Sequence, residues 1–416
     1  MFLRGHCDHY LGVVRFSWFV VMNNGFFPNV PTATPPRLVP RCGECGLYKR
    51  CKSPKMPVTG EGRRKVLVVA ESPGETEDER GTQLIGKSGQ LLRRSLRKCG
   101  LDLDADCWKT NALICCPKGE TPTDKRVLAC RPNLLKTIKK LNPETIILLG
   151  AVAVKSLIGH LWKESVGPIG RWVGWRIPSV ELNAWVCPTW HPAYLLRDDS
   201  KALSLHFDRH LAAAAELDGR PWPDGALDYR DDVTVITGPS EAASVIRSVF
   251  AEDAAVAVDF ETTGLKPEPK WAEIVSCALS WGRRNTISFP WCGLARDVVG
   301  ELLKSRAPKI AHNMKFEERW TRAEFGHGVR NWKWDSMQAA HVLDNRWGVT
   351  SLGFQAFTRL GVGAYDEHLK PYLSAVGPGK PNRVREVGLT ELLLYGGMDA
   401  VLTYELAQLQ MKELKR

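Results

Sequence analysis

The sequence predicts two α/β domains in series, and three observations carry that reading. Apolar runs of strand length alternate with helical stretches through the first half, the order of a parallel α/β sheet. Residues 216–232, "ELDGRPWPDGALDYRDD", have the Gly, Pro and Asp content of a linker. Strand-like runs then resume at Val233 and give way to mostly helical sequence.

At 416 residues the chain is long enough for two or three domains with sizeable cores. Its 44% hydrophobic and 25% charged residues are the balance of a soluble globular protein. Taken in order, "YLGVVRFSWFVVMNNGFF" is apolar but broken by Arg15, so it is too short and too interrupted to span a membrane. No small-residue cleavage site follows it, and no membrane association is expected. "PNVPTATPPRLVP" reads as an extended Pro-rich linker. Residues 1–40 are thus a leader and linker, Met22 is a candidate start, and residues 1–21 are assigned no function.

The first domain is expected over 41–215. It opens on the Cys-rich "CGECGLYKRC", with strands at "KVLVVAESPG", "IILLGAVAV" and "AWVCPTWHP". Helices are expected at "GQLLRRSLRKCG" and "RVLACRPNLLKTIKKL". The second domain, 233–416, should have strands near 254–261, 273–280 and 285–290, then mostly helices.

Net charge is +11. From residue 233 onward there are 23 Lys+Arg against 21 Asp+Glu, or +2, so the preceding part carries +9. A basic first half fits a nucleic-acid surface. Ten of the twelve cysteines precede residue 190, which points to a metal or cluster site there rather than to disulfides.

"AVAVDFETTG" (255–264) places Asp259 and Glu261 in a run that otherwise reads as a buried strand. Alternation puts both acids on one face, where they repel unless a cation lies between them. A divalent metal is the simplest candidate. "IAHNMKFEERW" (310–320) brings Asn313, Phe316 and Glu317 into one turn. "LTELLLYGGMDAVLTYEL" (389–406) is an apolar helix whose Tyr395 and Asp399, four apart, share a face.

Those three motifs resemble the 3′–5′ exonucleases with four acidic ligands and a catalytic tyrosine, above all the proofreading domains of family A DNA polymerases. The resemblance covers about 233–416, and "WDSMQAAHVLDN", with Asp335, is similar to the segment after the second motif. It implies an RNase H-like sheet holding two Mg²⁺ or Mn²⁺ ions on Asp259, Glu261, Glu317 and Asp399. Tyr395 would orient the attacking water, with Thr262, Asn313 and Phe316 on the substrate side. The family usually has Asp where this chain has Glu317.

"VLVVAESPGETEDERGTQLIGKSGQLL" (66–92) runs from a strand into a Gly/Pro loop rich in acids, where α/β sheets bind ligands. With "KTNALICCP" and "PTWHPAYLLR", it resembles the uracil-DNA glycosylase superfamily, most closely the iron–sulfur type, over about 41–215. The resemblance implies a [4Fe–4S] cluster on Cys42, Cys45, Cys115 and Cys130, with Cys51 and Cys116 as spare neighbours able to replace an assigned ligand. The remaining Cys99, Cys107, Cys187, Cys277 and Cys292 read as core residues. The resemblance makes Asn111 the reader of uracil and His191 the group that stabilises the departing base. Glu71, Glu77 and Asp78 match acids of the first loop, with Glu71 at the reaction and Ser72, Pro73, Gly74 and Leu84 against the substrate. The family commonly has an aromatic residue at Leu84 and Gly at Ser72.

The expected function is a DNA repair or replication protein that joins a glycosylase-like module to a metal-dependent 3′–5′ exonuclease. Its substrates would be single-stranded 3′ ends and uracil-containing DNA, in the cytoplasm at a nucleoid or viral replication complex. A polymerase is expected on a separate chain, since the organisation resembles the front portion of certain viral replicative polymerases. The alternatives are a non-catalytic DNA-binding subunit of such a polymerase, or an RNA 3′–5′ exonuclease.

Overall fold

The computed structural model describes residues 39–198, 200–251 and 254–415. The leader, the candidate start at Met22 and most of the Pro-rich linker lie outside the described residues. The chain divides into two compact bodies, one of residues 21–226 with 357–363 and one of 227–356 with 364–416.

In the first body a five-stranded sheet has β1 (Val66–Ala70), β2 (Cys107–Asn111), β3 (Thr145–Leu149), β4 (Ile177–Ser179) and β5 (Ala184–Thr189) in the order β2-β1-β3-β5-β4. All pairs are parallel except β4 with β5, at the edge. Every residue of β1 and β3 is buried, as expected of strands covered on both faces. The covering helices are α1 (Glu75–Arg80), α2 (Lys87–Lys98), α3 (Asp124–Leu141), α4 (Gly150–Leu161) and α5 (Lys201–Ala215). Leu92 and Leu96 of α2 and Phe207 and Leu211 of α5 form one core with Val66 and Val68. The run "IILLGAVAV" corrects the sequence reading: the strand stops at Leu149 and the rest is the start of α4. Gly150 turns the chain at φ 87°, and beyond it Ala153, Val154, Leu157 and Ile158 are buried at helical spacing.

In the second body six strands, β6 (Val233–Val235), β7 (Val256–Thr262), β8 (Ile274–Ser280), β9 (Thr286–Pro290), β10 (Lys309–Ala311) and β11 (Trp332–Asp335), lie in the order β11-β10-β7-β8-β9-β6. β7, β8 and β9 form an antiparallel meander; β10 and β11 add in parallel on one side and β6 on the other. Three of these strands, β6, β10 and β11, are only three or four residues long, and sequence periodicity does not reveal them. Helices α6 (Pro239–Ala251), α7 (Gly293–Lys304), α8 (Lys315–Phe325), α9 (Ser336–Leu343) and α10 (Leu389–Leu414) complete the body. The 26-residue α10 lies across β7, β8 and β9. A Cβ on Gly397 would come within 2.3 Å of the Val233 side chain, so glycine there is what lets α10 approach the sheet.

Candidate active sites

The first site grows from the alternation of β7. Asp259 and Glu261 face the same side and stand opposite Ala278 and Ser276 of β8, whose small side chains leave room. From α10, Asp399 reaches the same place, and the three acids each offer an oxygen within 4.8 Å of the others. Glu317, 2% exposed in the first turn of α8, faces Asp259 closely enough to raise its own pKa. Burial and mutual repulsion push Asp259, Glu261 and Glu317 well above the usual carboxylate range. Burial raises Asp399 to about 7, although tyrosine hydroxyls partly offset it.

Two oxygens here, Oδ2 of Asp259 and Oε2 of Glu317, are shut off from solvent with no hydrogen-bond partner. A buried acceptor without a donor is costly, and four converging carboxylates are costlier still. The donor set is all hard oxygen, which suits Mg²⁺ or Mn²⁺.

Neighbouring residues fix this cage. Asn313 takes φ 72°, a left-handed value that opens the turn into α8. Asp335 accepts from the backbone N–H of Asn313 and Met314, at 3.1 Å each, and caps α9 through Met337 N–H at 3.0 Å. Asp335 therefore clamps the turn that aims Glu317. Phe316 is half-buried against Trp320 and the core, at 6.2 Å between ring centroids. Thr262 donates its hydroxyl to the Gly264 carbonyl at 2.8 Å, shaping the loop that leaves Leu265 84% exposed.

Tyr395 donates to Asp399 from one helical turn away. A second phenol, Tyr365, also donates to Asp399, and its ring stacks on Tyr395 at 6.1 Å. Sequence reasoning missed Tyr365, because it lies in an irregular stretch with no period to mark it.

The second site runs along the C-terminal ends of the parallel strands of the first body, where open α/β sheets bind ligands. Asn111 ends β2, Glu71 follows β1, Gly150 follows β3, and His191 stands two residues past β5. A Cβ on Gly150 would sit 2.8 Å from Cβ of His191, so the histidine needs a glycine beside it. His191 Nδ1 accepts the Ala193 N–H at 3.1 Å, which leaves the ring proton on Nε2. Burial and Arg197 depress its pKa to about 4, so the imidazole is neutral at pH 7. Burial raises Glu71, against the pull of Arg197. Arg197, near both groups, is a site residue that sequence reasoning did not single out.

The other acids of the first loop are ties. Glu77 accepts the N–H groups of Ile85 and Gly86, at 3.0 and 2.7 Å. Asp78 is fully buried; it accepts from the backbone N–H of Lys52 and Ser53 and pairs with Lys118. Ser72, Pro73 and Gly74 line an open cleft with Glu71 and Cys116. Leu84 is 6% exposed at φ 53° and sits in the core with Leu92 and Leu195. Beside it, fully buried Gln83 donates its Nε2 to the Pro57 carbonyl at 3.1 Å, and its Oε1 accepts from Asn111 Nδ2.

Four thiols meet on the same body. Cys42 and Cys45 sit in one helical turn ended by Gly46 at φ 70°. With Cys115 and Cys130 they line a small hollow that Leu47 and Leu113 make apolar. Cys115 accepts the Lys55 N–H at 3.3 Å, and Cys130 accepts from Asn133 at 3.6 Å. Burial pushes the Cys115 thiol up to about 12 and raises Cys130, so thiolates here call for a cationic partner. Four soft sulfurs around an apolar hollow, with N–H donors aimed at two of them, fit an iron–sulfur cluster. The Cys51 thiol donates to the carbonyls of Leu47 and Cys116 and lies beside Cys115 without lining the hollow, whereas Cys116 lines the cleft. Cys107, Cys187 and Cys277 are buried, whereas Cys99 and Cys292 are half-buried at helix ends.

Comparison with known proteins gives both halves a counterpart. The profile of the "Uracil DNA glycosylase superfamily" matches residues 57–215, and that of a "3′-5′ exonuclease" family matches residues 233–415. A type-4 uracil-DNA glycosylase of Pyrobaculum aerophilum is 36% identical over 179 residues, which are 42% of this chain and 88% of that one. The type-4 enzyme of Thermotoga maritima is 34% identical over 172 residues, 40% of this chain and 83% of that one. A DNA polymerase of Bacillus phage SP01 is 24% identical over 347 residues, 75% of this chain but 36% of the polymerase.

Proposed function

Because the chain belongs to the uracil-DNA glycosylase superfamily through residues 57–215 and carries a 3′–5′ exonuclease domain over 233–415, we propose that it excises uracil from DNA and trims DNA from the 3′ end. The observation that carries the nuclease half is the pair of orphaned buried oxygens on Asp259 and Glu317, where Asp259, Glu261 and Asp399 cluster and Glu317 lies close enough to repel Asp259. Those acids would hold two Mg²⁺ or Mn²⁺ ions, which would activate the attacking water and stabilise the charge that develops at phosphorus. Tyr395 holds Asp399 and presents its phenol to the attacking water. Leu265, exposed four residues past Glu261, offers an apolar face to the terminal bases.

In the glycosylase half, a base flipped out of the strand meets Asn111 on its pairing edge. The neutral His191 ring donates Nε2–H to the charge that develops on the departing base. Glu71 flanks the same sugar, and Leu84 backs the pocket from the core. Cys42, Cys45, Cys115 and Cys130 would hold a [4Fe–4S] cluster, which would brace the segments that bear them. The match to a phage DNA polymerase over 75% of the chain supports a polymerase as working partner.

The test uses protein purified anaerobically and end-labelled strands with and without uracil, in Mg²⁺ or EDTA. Shortening from the 3′ end in Mg²⁺ alone, with alkali-sensitive sites at uracil in both buffers, is the expected result. Shortening of RNA but not DNA would overturn the nuclease half. Intact uracil in both buffers would overturn the glycosylase half.

A further inference from the structure

Uracil and cytosine differ on the pairing edge in one respect that an amide can read. Uracil offers an acceptor at O4 and a donor at N3; cytosine offers a donor at N4 and an acceptor at N3. An asparagine side chain presents N–H and C=O side by side, so turning the amide over converts a reader of one base into a reader of the other. Selectivity therefore requires that the amide be held one way round.

Gln83 supplies the hold. The Pro57 carbonyl can only accept, so the Gln83 Nε2, 3.1 Å away, must donate to it. That turns Gln83 Oε1 towards Asn111, and Asn111 must answer with Nδ2. Its Oδ1 then faces the other way, with the second Nδ2 proton beside it. This is the pattern complementary to uracil, and it sets donor against donor with cytosine. Both side chains are buried, at 0% and 2% exposure, so no water is at hand to satisfy a reversed amide. Reversal would bring two buried oxygens face to face, which disfavours it by about tenfold to a hundredfold.

We infer that Gln83 is a positioning residue that fixes the Asn111 amide and thereby sets preference for uracil over cytosine. This rests on Asn111 reading the flipped base. The test measures binding by fluorescence anisotropy, in EDTA so that strands stay intact, with oligonucleotides carrying one uracil or one cytosine. Gln83→Met and Gln83→Leu keep the volume and lose both polar atoms. Each should bring the two affinities to within about threefold, with uracil binding itself weakened by only about twofold, the statistical cost of an amide free to take either orientation. Gln83→Glu, in its protonated form, keeps both the donor to the Pro57 carbonyl and the acceptor for Asn111, so in mildly acidic buffer it should keep the wild-type ratio. A purely structural role would weaken both strands alike and leave the ratio unchanged. If Asn111→Ala abolishes the uracil preference while Gln83→Met and Gln83→Leu keep it, the relay is overturned and the base reading stands. If Asn111→Ala keeps the preference, the base reading fails and the relay falls with it.

Discussion

Replacing Asp259 by Asn should stabilise the metal-free protein. Each of Asp259, Glu261 and Asp399 offers an oxygen within 4.8 Å of the others, and Asp259 Oδ2 has no donor. At that separation two full charges repel by about 3 kcal/mol at an effective dielectric of about 20. The acids answer by keeping protons, which is why all are raised and Asp399 reaches about 7. A carboxyl bound more tightly to its proton in the folded state contributes stability below its unfolded value, and that contribution is lost as pH rises through the folded value. The metal-free nuclease domain should therefore weaken between about pH 4 and pH 7. For Asp399 alone, raised from the ordinary 3.8 to about 7, the loss is on the order of 4 kcal/mol. Asp259→Asn removes one repelling partner at constant shape and should recover about 1–3 kcal/mol at pH 8 in EDTA. The assay is differential scanning calorimetry at pH 5.5 and pH 8, following the transition that moves when Mg²⁺ is added. In saturating Mg²⁺ the order should reverse: wild type gains about 3 kcal/mol at a hundredfold excess over its dissociation constant. A wild type equally stable at both pH values in EDTA, or a variant less stable than wild type there, would refute the repulsive cage.

Other outcomes follow from the same geometry. Glu317 is buried with its free oxygen beside Asp259, so the site is built for the longer acid; Glu317→Asp should slow DNA digestion about 10- to 100-fold, and a faster variant would contradict this. Tyr395→Phe should leave Asp399 still anchored by Tyr365, so adding Tyr365→Phe should cost at least a further tenfold in rate; equal rates for single and double variants would sink the shared anchor. Cys130→Ala should lose iron and brown colour on metal analysis whereas Cys51→Ala keeps both, because Cys51 does not line the hollow and its thiol donates to backbone carbonyls. His191 should titrate near 4 with its proton on Nε2, so ¹⁵N shifts of the labelled ring should stay constant from pH 8 down to about pH 5; a midpoint near 6.5 would count against it.

What the sequence made legible was whatever rests on a period. Two acids two residues apart on a strand, and a tyrosine and an acid four apart on a helix, declare a shared face before any fold is known. The cysteine-rich "CGECGLYKRC" points to a metal or cluster site, but that Cys42 and Cys45 share one helical turn is known only from the structure. Where the chain is irregular the signal ends. Tyr365, Gln83 and Arg197 reach their sites from loops or short turns, so no spacing could attach them to Asp399, Asn111 or His191. "GAVAV" was ambiguous for another reason: a short apolar run suits a buried strand or a buried helix, and only the positive φ of Gly150 decides. Asp335 was legible as part of a motif, but its work as a clamp on Asn313 and Met314 needs the backbone itself.

Asp78 bears on what holds the cysteine segments of the first domain together. Its buried carboxylate joins the backbone at Lys52 and Ser53 to Lys118, stretches that follow closely on Cys45 and on Cys115. The two cysteine-bearing strips are thus joined by the Asp78 carboxylate and the Lys118 ammonium, alongside the Lys55 N–H on Cys115 and the Cys51 thiol on the Cys116 carbonyl. The Asp78 contacts need no iron, so they tie the two strips to each other independently of whatever the cysteines hold.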